Sequence, residues 1–338
     1  MGRRQINVSS PLRGEGDREA VEGFLPRLQP LTSSPRTRPM LRLPLLLLAA
    51  FLFGASTAHA ACDIGQPGAT ARAEIGRTGR PMLVHLPRGF DPAAPAPLVL
   101  VLHGSGGTGD AILGQSGLAE TADRRGFIVA APDAGIPVSE GFVWNIPGVP
   151  TITGQVPGRG DADDVAYLEA AADALAARGC VDPARVYVTG LSGGGRMASW
   201  LGCVAADRFA AIAPVVGLRA GNPDEHDRSR PAARTCRPSR PMPVMAFAGD
   251  ADTTNPIQGG GAGYWSYTMH AAEQRWAQLN ACTAPRPTRW VSDDVYEEGY
   301  AACRDGAEVI GRITRGGGHS WVADNEAMWA FFEGRTRR

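Results

Sequence analysis

The sequence contains no lysine; all 34 residues counted as Lys or Arg are arginine. That excludes Schiff-base catalysis, Ser–Lys dyads and a P-loop lysine, each of which needs a primary ammonium group. None of the six cysteines are spaced as closely as zinc-binding pairs require, so no metal site is expected. Nor is there an excess of positive charge. Residues 1–60 hold 8 of the arginines and 4 of the 34 acidic residues, leaving 26 Arg against 30 Asp and Glu beyond them. A chain with that balance has no electrostatic footprint for nucleic acid. Internal repeats are absent, and the apolar run near the start is too short for a comfortable membrane span.

That run belongs to a recognisable address. Residues 1–39 are rich in Arg, Pro, Gly and Ser without helix or strand periodicity, and read as an over-translated or disordered extension. Residues 40–60 have a basic start, an apolar core and an Ala58-His-Ala60 cleavage site, the pattern of a secretory signal peptide. Met40 is therefore the expected start and Ala61 the expected first mature residue. A lipid anchor on Cys62 is not expected, because His59 stands where such a signal needs a Leu-like residue. Residues 61–338 then form a single domain, secreted or periplasmic and free of the membrane. Cys62, Cys180, Cys203, Cys236, Cys282 and Cys303 all lie in it. An even count in an oxidising compartment predicts three structural disulfides, with Cys282–Cys303 the favoured pair.

Within that domain strand-like and helix-like segments alternate. Apolar, β-branched runs at 81–87, 98–102, 127–131, 186–189, 210–216, 243–248 and 309–314 read as strands. Segments 109–125, 163–178, 264–279 and 326–332, with a helix after residue 196, carry helical spacing. The alternation implies an α/β fold with a mostly parallel sheet and helices on both faces. Two Pro- and Gly-rich inserts, 134–160 and 217–242, are long for connections and are expected to shape a cleft.

The chemistry is concentrated at Gly190-Leu-Ser-Gly-Gly194. A strand before it, a sharp turn and a helix after it make the setting of a nucleophile elbow, which holds a serine hydroxyl out over the end of a sheet. The same five residues also fit an ordinary Gly-rich turn, so partners decide. An acyl-transfer site needs a base, an orienting acid and oxyanion donors, with the acid and then the histidine following the serine in the chain. Of the histidines after Ser192, His226 lies in a polar insert and His270 in a helical segment. His319 follows a strand in Gly316-Gly-Gly-His-Ser-Trp321 and is the expected base. Gly249-Asp-Ala-Asp252 ends another strand; Asp252 is the expected acid and Asp250 the alternative. The Gly193 amide is one expected oxyanion donor. Leu102-His-Gly-Ser-Gly-Gly107 supplies the other, from Ser105 or Gly106. Trp144 and Trp321 are candidates for stacking on substrate, although a tryptophan is as readily a core residue.

His103-Gly104, the elbow, Gly249-x-x-Asp252 and Gly318-His-Ser-Trp321 together resemble the polyhydroxybutyrate depolymerase and feruloyl esterase family of α/β-hydrolases. Val181-Asp-Pro-Ala-Arg-Val-Tyr187 and Asp163-Asp-Val165 add to the likeness, which covers roughly residues 62–335. The resemblance implies a secreted serine esterase working without a cofactor, with Ser192, Asp252 and His319 as its triad. The chain departs from the family pattern at Asp250, where Thr is common, at Gly193, where Ala is common, and at Val322, where Pro is usual. Feruloyl or hydroxycinnamoyl esters and short polyhydroxyalkanoate esters are the implied substrates. A polyhydroxybutyrate depolymerase proper and an acetyl-sugar esterase are close alternatives. A serine peptidase or a non-catalytic secreted binding protein are more distant ones.

Overall fold

Two runs, Ala-Pro-Leu-Val-Leu-Val-Leu and Val-Met-Ala-Phe-Ala-Gly, are almost wholly apolar, which suits strands covered on both faces. In the computed structural model, which describes residues 62–261 and 264–337, both are buried at every position. The expected extension and signal peptide, residues 1–60, lie outside the described residues.

In chain order the elements are β1 (Thr70–Glu74), β2 (Pro81–His85), β3 (Ala96–Leu102), α1 (Gly109–Ser116), α2 (Leu118–Arg125), β4 (Ile128–Pro132), β5 (Ile136–Pro137) and β6 (Phe142–Val143). Then follow α3 (Asp164–Ala177), β7 (Val181–Leu191), α4 (Gly193–Val204), β8 (Ala211–Val215), β9 (Val244–Gly249), α5 (Met269–Leu279), β10 (Ala284–Trp290), β11 (Val295–Ala301), β12 (Val309–Thr314) and α6 (Asn325–Glu333). Ten strands form one sheet in the order β1-β2-β4-β3-β7-β8-β9-β12-β11-β10. The strands from β4 to β12 in that order run parallel, and antiparallel strands close both edges.

Alternate residues of the central strands feed two cores. Leu98, Leu100, Val188, Ile212 and Ala246 pack with α3, α4 and α5. Val99, Val101, Tyr187, Ala213 and Phe247 pack with α1, α2 and α6 on the opposite face. Helices on both faces of a parallel sheet leave the carboxyl ends of its strands free for a site. Three disulfides, Cys62–Cys180, Cys203–Cys236 and Cys282–Cys303, join loops and edges to this frame.

Several expected boundaries move. Segment 109–125 is two helices, because Gly117 takes a left-handed conformation (φ 64°) and breaks the hydrogen-bond ladder between them. The helix expected from residue 264 starts at Met269, where the Thr268 hydroxyl accepts from Ala271 N at 2.9 Å and caps it. Before that cap, Trp265 and Tyr267 turn inward as buried loop residues. The β10–β11 hairpin was not visible as strands, since β10 carries two prolines and two arginines and is largely exposed. Charged, Pro-containing sequence is ordinary on an edge strand.

Candidate active site

Strand β7 delivers Ser192 at the carboxyl edge of the sheet, between β3 and β8. The serine backbone stands at φ 54°, ψ −107°, a region side chains rarely occupy and one that costs on the order of 1–3 kcal/mol. The turn is that sharp because strand and helix almost touch. A Cβ on Gly190 would lie 2.7 Å from Leu102 O and from the Gly194 carbonyl carbon. Ser192 N donates to Val215 O at 2.9 Å, and Ser192 O accepts the first helical bond from Arg196 N. An N-cap serine commonly turns its hydroxyl back onto the helix. This one makes no such bond, and its Oγ lies 2.9 Å from His319 Nε2.

His319 follows β12, three strands along the sheet from β7, and Asp252 follows β9 between them. Strands β9 and β12 run side by side in parallel, with Gly249 opposite Thr314. Their following loops are laced together: Asp250 N donates to Thr314 O, and Ala251 N to Gly317 O at 3.0 Å. Gly249 and Gly317 pass so closely that a side chain on Gly249 would meet the Gly317 carbonyl. The imidazole is about a quarter exposed, and its Nδ1 lies 2.8 Å from Oδ2 of the buried Asp252 carboxylate. The other oxygen, Oδ1, accepts from the amides of Thr254 and Asn255 at 2.8 and 2.9 Å. Asp252 is therefore held by its own turn and points one oxygen at the ring. Asp250 faces away and is exposed, accepting from Gly316 N at 2.6 Å.

The loop after β3 frames the other side of the serine. Gly106 N donates to Phe142 O at 2.9 Å, so Gly106 is not available as an oxyanion donor, contrary to one of the two expected options. Gly104 O accepts both from Gly107 N at 3.0 Å and from His103 Nδ1 at 2.7 Å. A trans peptide points its N–H opposite to its C=O, so anchoring Gly104 O turns Ser105 N the other way. That amide lies 2.8 Å from where a Gly193 Cβ would stand. Among the described residues neither Ser105 N nor Gly193 N donates to a protein acceptor.

His103 is a neutral brace. Its Nε2 accepts from Ala134 N at 3.0 Å, which leaves Nδ1 as the protonated nitrogen, and burial holds its pKa below the usual histidine value. Trp144 requires a correction. It is not an exposed stacking platform: it is 4% exposed, its ring lies 4.9 Å from that of His103, and its indole N–H donates to His103 O at 2.8 Å. It supports the turn from below. Trp321 is half-buried two residues beyond His319, with its N–H donated to Asn325 Oδ1 at 3.0 Å.

Both long inserts reach this edge, and Asn222 Nδ2 ties them through Pro147 O at 3.1 Å. Ile146 and Val149 from the first and Arg219 and Asn222 from the second line a recess with Arg196 and Tyr264. An adjoining recess continues past Arg196 to Gly193 and Ser105. Arg196 was not anticipated; in the sequence it is one polar residue among helix positions that otherwise read as apolar. Among the described residues one group could hold a metal ion: His270, Glu273 and Glu298, with ligand atoms within 4.8 Å of one another. It sits on α5 and β11, not on the strand ends that carry Ser192, Asp252 and His319.

Comparison with known proteins agrees with this fold. The model of the prolyl oligopeptidase family matches residues 119–220, the segment that contains the elbow. The structure superimposes on an acetyl xylan esterase from Aspergillus awamori with a TM-score of 0.56 at 16% identity, covering 78% of this chain and 99% of that one. This chain has the α/β-hydrolase fold. Among curated relatives, feruloyl esterase B of Piromyces equi is 30% identical over 258 residues, 75% of this chain and 44% of that protein. Poly(3-hydroxyalkanoate) depolymerase C of Paucimonas lemoignei is 33% identical over 185 residues, 54% of this chain and 40% of that protein. The chain thus spans less than half the length of these relatives.

Proposed function

We propose that this α/β-hydrolase is a secreted serine carboxylesterase acting through Ser192, His319 and Asp252. The observation that carries the proposal is the continuous contact from Ser192 Oγ to His319 Nε2 and from His319 Nδ1 to Asp252 Oδ2, at 2.9 and 2.8 Å. As Oγ attacks the ester carbonyl, Nε2 takes its proton. The buried carboxylate keeps the proton on Nδ1 and favours the imidazolium that forms. The carbonyl oxygen becomes an oxyanion between the amides of Gly193 and Ser105, at the positive end of α4. Imidazolium then protonates the departing alcohol, and water repeats the cycle on the acyl-enzyme.

The relatives named for feruloyl and polyhydroxyalkanoate esters support carboxylic esters over peptides as substrates. Hydroxycinnamoyl and short hydroxyalkanoate esters are the substrates to test first. Export is supported by the three disulfides, which persist in oxidising compartments. Turnover of 4-nitrophenyl butyrate by the full chain and by Ser192→Ala tests the reading. Wild type is expected to hydrolyse it and Ser192→Ala to fall by roughly three orders of magnitude or more. Equal rates in the two proteins would end the assignment. Rates on a feruloyl ester, a hydroxybutyrate oligomer and an acetylated sugar then rank the substrate classes.

A further inference from the structure

Arg196 is the fourth residue after the nucleophile, on the first turn of α4, and its side chain is buried beside the oxyanion loop. One nitrogen, Nη2, donates to Ser105 Oγ at 3.2 Å. Among the described residues its Nε and Nη1 have no hydrogen-bond partner, and the Tyr264 ring lies 4.1 Å over the guanidinium. The same side chain lines both recesses, the smaller of which reaches Ser105 and Gly193 beside the serine. Arg219 lines the larger one as well. It is buried between the rings of Trp265 and Tyr267 and donates to the carbonyls of Tyr267 and Tyr264.

Among the described residues neither arginine is paired with a carboxylate, and burial lowers the pKa of both, that of Arg219 to about 10. Two guanidinium groups without countercharge in a desolvated pocket are costly, since buried charges are normally paired. Aromatic faces and carbonyls compensate Arg219. Contact with one hydroxyl and one ring leaves Arg196 with two idle donors. Ser105 and Gly193, the proposed oxyanion donors, are the immediate neighbours of the smaller recess.

Resting on the esterase reading, we infer that Arg196 is a specificity-determining residue that binds a carboxylate carried by the ester substrate, with Arg219 adding to the positive potential. The anionic group supplies the countercharge the protein omits. The carboxylate belongs either to the acyl part or to the alcohol, and the two sources are separable by experiment.

The test compares kcat/KM of the full chain on four esters, two charged and two neutral. These are neutral 4-nitrophenyl butyrate, 4-nitrophenyl hemisuccinate with its charge on the acyl part, and 4-acetoxybenzoate with its charge on the alcohol, the last paired with neutral phenyl acetate. One charged ester is expected to exceed its neutral counterpart by about tenfold or more, the size of a charge-assisted hydrogen bond. Arg196→Met should bring that ratio to about one, and Arg196→Lys should keep part of it, because a charge remains without the fork of donors. No preference for either charged ester in wild type, or a preference that survives in Arg196→Met, overturns the inference; the wild-type comparison stands even if the variants fail to fold. If wild type turns over no ester at all, the esterase reading has failed instead. Calorimetry with succinate and benzoate then decides the carboxylate site alone: binding that Arg196→Met abolishes upholds it, and no binding to wild type removes it.

Discussion

The Asp250 carboxylate accepts from the Gly316 amide at 2.6 Å, three residues before His319 in the adjoining loop. Two carboxylates leave the same strand end, and they divide the work. Asp252 touches the imidazole, while Asp250 ties down the loop that carries it. Asp252→Asn is therefore expected to lower kcat by roughly 10⁴, the loss typical of a misdirected imidazole tautomer. Asp250→Asn keeps an oxygen for the Gly316 amide and should cost no more than about tenfold, the low end of what positioning changes cost. Steady-state kinetics of the two variants checks the division, and a larger loss in Asp250→Asn would reverse it.

His103 and Trp144 fix the peptide that turns Ser105 N toward the nucleophile, and Trp144 also lines the smaller recess with Gly193 and Arg196. Replacing His103 by Ala frees Gly104 O from one of its two donors and lets that peptide rotate. The expected effect is a fall in kcat of about 100-fold, with KM little changed, because the misplaced donor acts on the transition state. Trp144→Phe keeps the ring and loses only the bond to His103 O, so it should show a smaller loss of the same kind. A change confined to KM would show that these residues bind substrate instead.

Glu273 is fully buried between His270, Nδ1 of which lies 3.7 Å away, and Glu298. Burial, the dominant cause, raises its pKa from 4.5 to about 7, and the bond to Glu273 raises that of His270. Near pH 6 the native state thus holds protons that the unfolded chain has partly released. The stability from this pair is complete below about pH 4.5 and is lost as pH rises through 7. Denaturant melts from pH 5 to 8 should show stability falling with pH, and Glu273→Gln should flatten the curve and be the more stable protein at pH 8.

The Cys62–Cys180 bridge spans 118 residues of chain and Cys282–Cys303 spans 21. Loop-closure entropy grows with the logarithm of that span, making the longer bridge worth on the order of 1–2 kcal/mol more in the chain-entropy model. Cys62→Ala with Cys180→Ala is expected to lower Tm more than Cys282→Ala with Cys303→Ala, a comparison calorimetry makes directly.

Much of the frame was legible because its signals are local. Apolar, β-branched runs such as residues 98–102 read as strands covered on both faces, and the elbow glycines suit a strand meeting a helix. Edge strands β10 and β11 escaped notice because a half-exposed hairpin tolerates Pro, Arg and Glu, so composition carries no signal there. The break at Gly117 and the late start of α5 depend on one left-handed glycine and one threonine cap, details that helical periodicity averages away.

By itself the sequence determined the chemical inventory: arginine as the sole basic side chain besides histidine, six cysteines, a serine in an elbow, and histidine and aspartate in the right order after it. Only the tertiary structure decided which aspartate meets the imidazole, which amide of the 103–107 loop stays free, and that Trp144 lies beneath the site. It also decided that Arg196 has no carboxylate partner among the described residues. Each of these turns on where a group points after distant segments pack, and direction in space is a property of the packed sheet that no stretch of chain carries alone.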